Sequence, residues 1–122
     1  MPANNSSKTP GKDISIIKIG GYIELRTSDE LERVLNQLIR EKVFRIIIDL
    51  ENVDYVSSAG WGVFLAKLKE IREHDGDLKL ANMTTNVYEV YKVLEFFWFI
   101  RYYSSVESAI SDFDKEVPPM PQ

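Results

Sequence analysis

Two hydrophobic periods divide the chain. Between Leu31 and Ile39 the apolar residues Leu31, Val34, Leu35, Leu38 and Ile39 recur at three-and-four spacing, while Glu32, Arg33, Asn36, Gln37 and Arg40 fall on the opposite side. That stripe predicts an amphipathic helix. Thr27-Ser28-Asp29-Glu30 has the form of a capping box and predicts its start, with Thr27 as the cap. Val63, Phe64, Leu68 and Ile71 repeat the pattern, as do Val87, Val90, Tyr91 and Leu94 within 84–94, and Val106, Ala109, Ile110 and Phe113 after a second box-like run, Ser104 to Glu107. Four helices are therefore expected. The stretches between them behave differently. Arg45 to Leu50 is short, β-branched and almost wholly apolar, which fits a strand buried on both faces. Ile14 to Ile19, interrupted by Gly20-Gly21 and resumed at Tyr22-Ile23, predicts either one bulged strand or two short ones. Leu78 to Ala81 and the aromatic run from Phe96 to Tyr103 complete the strand set. A polar loop is expected between Leu50 and the second helix, whose end at His74-Asp75-Gly76 suggests a left-handed glycine cap.

Alternating strands and helices predict an α/β fold with a mixed or mostly parallel sheet of about four to five strands, covered by about four helices. Met1 to Lys12 and 114–122 lack apolar periodicity, so the reading is a flexible tail at 1–12, a single domain at 13–113 and a flexible tail at 114–122.

Composition narrows the function more by exclusion than by assertion. The 122 residues carry a net charge of −4 with no basic cluster, which argues against nucleic acid as partner. No cysteine and one histidine leave no metal or haem constellation. No cofactor is expected, and no membrane insertion, because the most apolar stretch is far shorter than the ~20 residues a spanning helix needs. Without a visible secretory signal the expected compartment is the cytoplasm.

Enzymatic readings lack parts. The glycines have no Gly-Lys-Ser/Thr ending, and Gly60-Trp61-Gly62 has no third glycine for a dinucleotide fingerprint. His74 belongs at the far end of the helix that Ser58 would begin, so no Ser-His-Asp triad can assemble. Glu24, Asp49, Glu51 and Asp54 could gather at the carboxyl ends of strands as an acid/base or metal site, but no histidine joins them. The chain is read as not an enzyme. Ser57 and Ser58 precede the second helix, where unpaired N–H groups and the helix dipole favour a hydroxyl acceptor or an added phosphoryl group. On spacing alone one of the two is simply an N-cap.

Asp49-Leu50, then Val53, Tyr55 and Ser57-Ser58-Ala59-Gly60-Trp61-Gly62-Val63, resembles the signature of the STAS domain family of bacterial anti-sigma-factor antagonists. Gly21-Tyr22-Ile23-Glu24 stands where that family has Gly-Glu-Leu-Asp, and the likeness runs from about Ile14 to Phe113. The resemblance implies a protein that binds an anti-sigma factor serine kinase of the GHKL type while unphosphorylated, is released when Ser58 is phosphorylated, and is reset by a PP2C-type phosphatase. Ser57, in place of the family's common aspartate, is an alternative acceptor. The implied partner-contact set is Glu24, Asp54, Ser57, Ser58, Ala59, Gly60 and Trp61; Trp61, where leucine is usual, fits either a contact or the core. A second reading keeps the fold as a scaffold of a stress-sensing complex or an accessory subunit of a lipid or anion transporter.

Overall fold

The computed structural model describes residues 5–9 and 13–115. In chain order it contains β1 (Asn5–Thr9), β2 (Ile14–Ile23), α1 (Leu25–Arg40), β3 (Arg45–Val56), α2 (Ser58–Arg72), β4 (Asp77–Ala81), α3 (Thr85–Val93), β5 (Tyr102–Tyr103) and α4 (Val106–Lys115), with one 3₁₀ turn at Phe96–Trp98. The five strands form one sheet in the order β1-β2-β3-β4-β5. β1 runs antiparallel to β2, and β2 through β5 are parallel. This is the expected mostly parallel α/β sheet with four helices.

Strand order follows chain order, so crossovers of one hand put their helices on the same face. Leu31, Leu35 and Leu38 of α1, Phe64, Leu68 and Ile71 of α2, and Val87 and Tyr91 of α3 all join one core with Ile17, Ile46, Ile48, Leu78 and Leu80. Each buried leucine there contributes roughly 2 to 3 kcal/mol of transfer free energy. The alternate residues of the same strands face the other way, where Ile14, Ile47 and Ala81 meet Ala109 and Phe113 of α4. Burial on both faces explains the unbroken apolar run of β3.

Several expectations need correction. Asn5–Thr9, read as tail, is an edge strand: polar residues suffice there because its pairing with Ile14 to Lys18 is made by backbone. Asp114 and Lys115 extend α4, and the expected tails otherwise lie outside the described residues. The polar loop after Leu50 is strand, and β3 continues to Val56 beside β2, with register shifts around Gly20 and Gly21. Only Val53 and Val56 are buried in that extension, a spacing of three that hides its strand character. The α1 cap is Glu24, not Thr27: Thr27 N donates to Glu24 Oε1 (3.4 Å), and Glu24 N donates to Thr27 Oγ1 (2.8 Å). Thr27 Oγ1 also donates to the Tyr22 carbonyl (2.8 Å), tying the helix start to the end of β2.

At the end of α2 it is Asp75, with φ of 62°, that turns left-handed. Gly76 is required for space, since a Cβ there would lie 1.9 Å from the Phe44 carbonyl oxygen. His74 stacks on Phe44 with ring centroids 4.3 Å apart. The expected last strand shrinks to Tyr102–Tyr103, because Phe96–Trp98 is a 3₁₀ turn and Phe97, Trp98 and Phe99 are exposed. Ser105 rather than Ser104 caps α4, its Oγ accepting from Ser108 N (3.0 Å).

Candidate functional site

β2 and β3 end together, and α1 and α2 begin there. Ile23 pairs with Val56, and Ser57 N donates to the Ile23 carbonyl at 2.8 Å. This bond aims the start of α2 over the end of β2. Ser57 is the N-cap: its backbone is extended, its Oγ accepts from Gly60 N (3.3 Å), and its carbonyl accepts from Trp61 N (3.0 Å). Ser58 follows as the first helical residue and is exposed. The two serines are thus divided. Ser57 spends its hydroxyl on the helix and is half-buried, whereas the Ser58 hydroxyl makes no hydrogen bond to the described residues. An oxygen at Ser58 also sits beside the unpaired N–H groups and positive end of the α2 dipole, where added negative charge is tolerated.

The first turn of α2 lies directly on the sheet. A Cβ on Gly60 would come within 2.8 Å of both Ile23 Cγ2 and Val56 Cγ1, so only glycine permits this approach. Trp61 points inward: it is buried, 4.7 Å from the Phe96 ring and 5.7 Å from Phe64 by centroids, and its indole N–H has no hydrogen-bond partner among the described residues. The structure therefore puts Trp61 and Gly60 in the core rather than on a contact surface. The larger side chain in place of leucine fills the space above Phe96, at the cost of one unsatisfied donor. Gly62, one residue on, has nothing within 4 Å of its would-be Cβ.

The surface around Ser58 mixes acid and apolar groups. Glu24 and Asp54 are exposed there, and Ala59 is half-buried. Tyr22 and Tyr55, register partners with rings 6.0 Å apart, and Leu25 at the start of α1 are also exposed. Tyr22 and Tyr55 fall within the motif stretches named above, but none of these three side chains belongs to the expected contact set. Exposed aromatics on a strand end are a visible signal only once both strands are known to end at the same place.

The four expected acids do not converge. Asp49 is buried on the α4 side of the sheet, its Oδ1 accepting from Glu51 N and Asn82 Nδ2, each at 3.1 Å. Glu51 pairs with Lys18 (3.1 Å), and that hydrogen bond, with the charges of Glu51 and Asp49, raises the Lys18 pKa. Glu24 is committed to the α1 cap. Among the described residues no three His, Asp or Glu side chains come together as a metal site. Nor is any described helix long and apolar enough to cross a membrane.

Residues 7–109 match the STAS domain. An anti-sigma-B factor antagonist of Staphylococcus aureus is 30% identical over 77 residues, 63% of this chain and 71% of that protein. BtrV of Bordetella bronchiseptica, named as a proposed anti-sigma factor antagonist, is 30% identical over 98 residues, 80% of this chain and 84% of its own length. Among solved structures, the anti-sigma factor antagonist SpoIIAA in its unphosphorylated form superposes with a TM-score of 0.73 at 18% identity, covering 94% of this chain and 100% of that one. The Bacillus SpoIIAA in its phosphorylated form gives 0.68 at 17%, covering 90% and 98%. The chain belongs to the STAS domain family, in the company of anti-sigma factor antagonists.

Proposed function

We propose that this chain is a non-enzymatic, cytoplasmic anti-sigma factor antagonist that binds a GHKL-type serine kinase while Ser58 is unmodified and is released when that kinase phosphorylates Ser58. A PP2C-type phosphatase returns it to the binding state. The observation that carries this reading is the division of labour between the two serines: Ser57 is tied into the cap, and Ser58 presents a free hydroxyl at the first helical residue. SpoIIAA, a protein of the same fold, exists in unphosphorylated and phosphorylated forms, which supports a modification in this class of molecule.

Phosphorylation adds about −1.5 to −2 charges and three acceptor oxygens. At Ser58 these project into water at a helix N-terminus, so the fold itself has no reason to rearrange. The consequence falls on the partner. A kinase face that packs on Tyr22, Tyr55 and Leu25 must desolvate the phosphate beside Asp54 and Glu24, and a loss of about 3 kcal/mol lowers affinity on the order of a hundredfold. Incubation with the cognate kinase and ATP, followed by mass spectrometry, tests the site. One phosphoryl group on Ser58 is expected; modification confined to Ser57 would refute the assignment.

A further inference from the structure

The opposite end of the sheet carries a second exposed surface that the Ser58 switch does not use. α3 ends at Val93, Glu95 turns left-handed with φ of 58°, and the 3₁₀ turn follows. Both ends of that turn are held. Phe96 stacks beneath Trp61, and Ile100 is fully buried, its N donating to the Phe96 carbonyl (2.9 Å) and its carbonyl accepting from the Tyr91 hydroxyl (2.7 Å). Between these anchors the chain projects Phe97, Trp98 and Phe99 outward, at 46%, 72% and 56% exposure. Three consecutive aromatics on a braced turn form a preset surface, where a monomer with no use for it would carry polar side chains.

The same residues line a concavity of about 410 Å³ with Arg72, Asp77 and Arg101. Its charge is one-sided. Asp77 is nearly buried and saturated, accepting from Arg72 Nε (3.0 Å), Leu78 N (2.9 Å) and the buried Lys79 Nζ (3.0 Å). Arg101 reaches Asp112 at 3.5 Å, and both arginine side chains remain about half exposed. Two half-exposed arginines and one saturated carboxylate thus line it, in a chain whose net charge is −4. Glu95 lies at the edge, occupied by the Trp98 indole N–H (3.4 Å). Arginine beside exposed Trp and Phe is the pairing that anchors binding interfaces, and a partner segment with carboxylates flanking an aromatic or aliphatic residue complements both features.

We propose that this concavity docks an acidic peptide segment of a partner protein, with an apolar anchor on Trp98 and Phe99 and carboxylates on Arg72 and Arg101. Ser58 begins α2 and Arg72 ends it, so the arginine end of the concavity lies about one helix length, roughly 20 Å, from Ser58. That exceeds the Debye length of about 8 Å at physiological salt. Carboxylate contacts with the two arginines are therefore screened from the charge at Ser58, and the chain can hold a second partner in both states of the switch. This proposal does not depend on the phosphorylation reading.

The full ¹⁵N-labelled chain can be titrated with a synthetic peptide of alternating Asp, Glu, Phe and Leu, and with its lysine counterpart. The chain has two tryptophans, so the buried Trp61 indole serves as internal reference for Trp98. The acidic peptide should shift the Trp98 indole signal and leave Trp61 in place, and the lysine peptide should do neither. Trp98→Ala and Arg101→Gln, both exposed and checked for an unchanged urea midpoint, should each weaken binding by about tenfold, and Ser58→Asp should bind as the parent does. Equal binding of both peptides, no shift of Trp98, or parental affinity in both variants would overturn the proposal. So would a Trp98 shift that grows with chain concentration in the absence of peptide, which would identify a second copy as the occupant.

Discussion

Two glycines, two residues apart on one helix, should respond to the same substitution with opposite sign. Gly60→Ala places a methyl 2.8 Å from carbons of Ile23 and Val56, both buried strand residues with no freedom to withdraw. Overpacking of this kind costs about 1 to 3 kcal/mol. The better helix propensity of alanine returns at most about 1 kcal/mol, so a net loss of up to about 2 kcal/mol is expected. Gly62→Ala meets open space and keeps only the gain, about 0.5 to 1 kcal/mol. Urea denaturation followed by circular dichroism measures both. With a slope of about 1 to 3 kcal/mol per molar for a small domain, the two midpoints should fall on either side of the parent, separated by roughly 1 M. Midpoints moving in the same direction would show that the first turn of α2 does not rest on the sheet as described.

In calorimetry against that kinase, Ser58→Ala should bind like the unmodified chain and remain bound when ATP is added; Ser58→Asp, with about one charge at shorter reach, should fall between alanine and phosphoserine. Equal affinity of phosphoserine and alanine forms would refute the switch. Leu35→Ala and Phe64→Ala should each lower unfolding free energy by about 2 to 5 kcal/mol through the cavities they leave, measured by the same urea titration. Burial, reinforced by the neighbouring tyrosines, pushes the Tyr91 phenol up to about 12 from an ordinary value near 10. A raised folded-state value favours the protonated phenol, so its contribution is complete below about pH 10 and is lost as pH rises towards 12. Tyr91→Phe should therefore start less stable, by about the 1 kcal/mol of its hydrogen bond to Ile100, and show a shallower alkaline loss in thermal melts between those pH values.

The elements legible in the sequence were those whose stability comes from their own pattern. Leu31 to Ile39 and Arg45 to Leu50 announce themselves because burial on one face or two leaves a period. Asn5–Thr9 leaves none, since an edge strand held by backbone bonds asks nothing of its side chains. The end of β3 was obscured for a related reason: irregular pairing beside Gly20 and Gly21 breaks the alternation that would mark a strand. At the α1 start, both Glu24 and Thr27 are capping residues three apart, and sequence cannot say which box closes until the strand before it is placed. Phe96 to Phe99 reads as strand by composition, and only the anchoring of Phe96 and Ile100 bends it into a turn. The serine pair was visible as a helix start, but the assignment of cap to Ser57 and free hydroxyl to Ser58 depends on the bond from Ser57 N to Ile23, a contact 34 residues apart in the chain.

The polar edge strand also governs self-association. The parallel centre of this sheet, Ile46-Ile47-Ile48 flanked by Ile14 to Ile19, has the β-propensity and low charge that template fibrils when an edge lies open. One border closes with the two residues of β5, too short to recruit another chain, and the other closes with Asn5–Thr9, whose sequence Asn-Ser-Ser-Lys-Thr is poor in the residues that amyloid selects. Removing that segment would uncover the backbone of an isoleucine-rich strand. The backbone pairing of these five residues thus guards the border of the sheet against self-association.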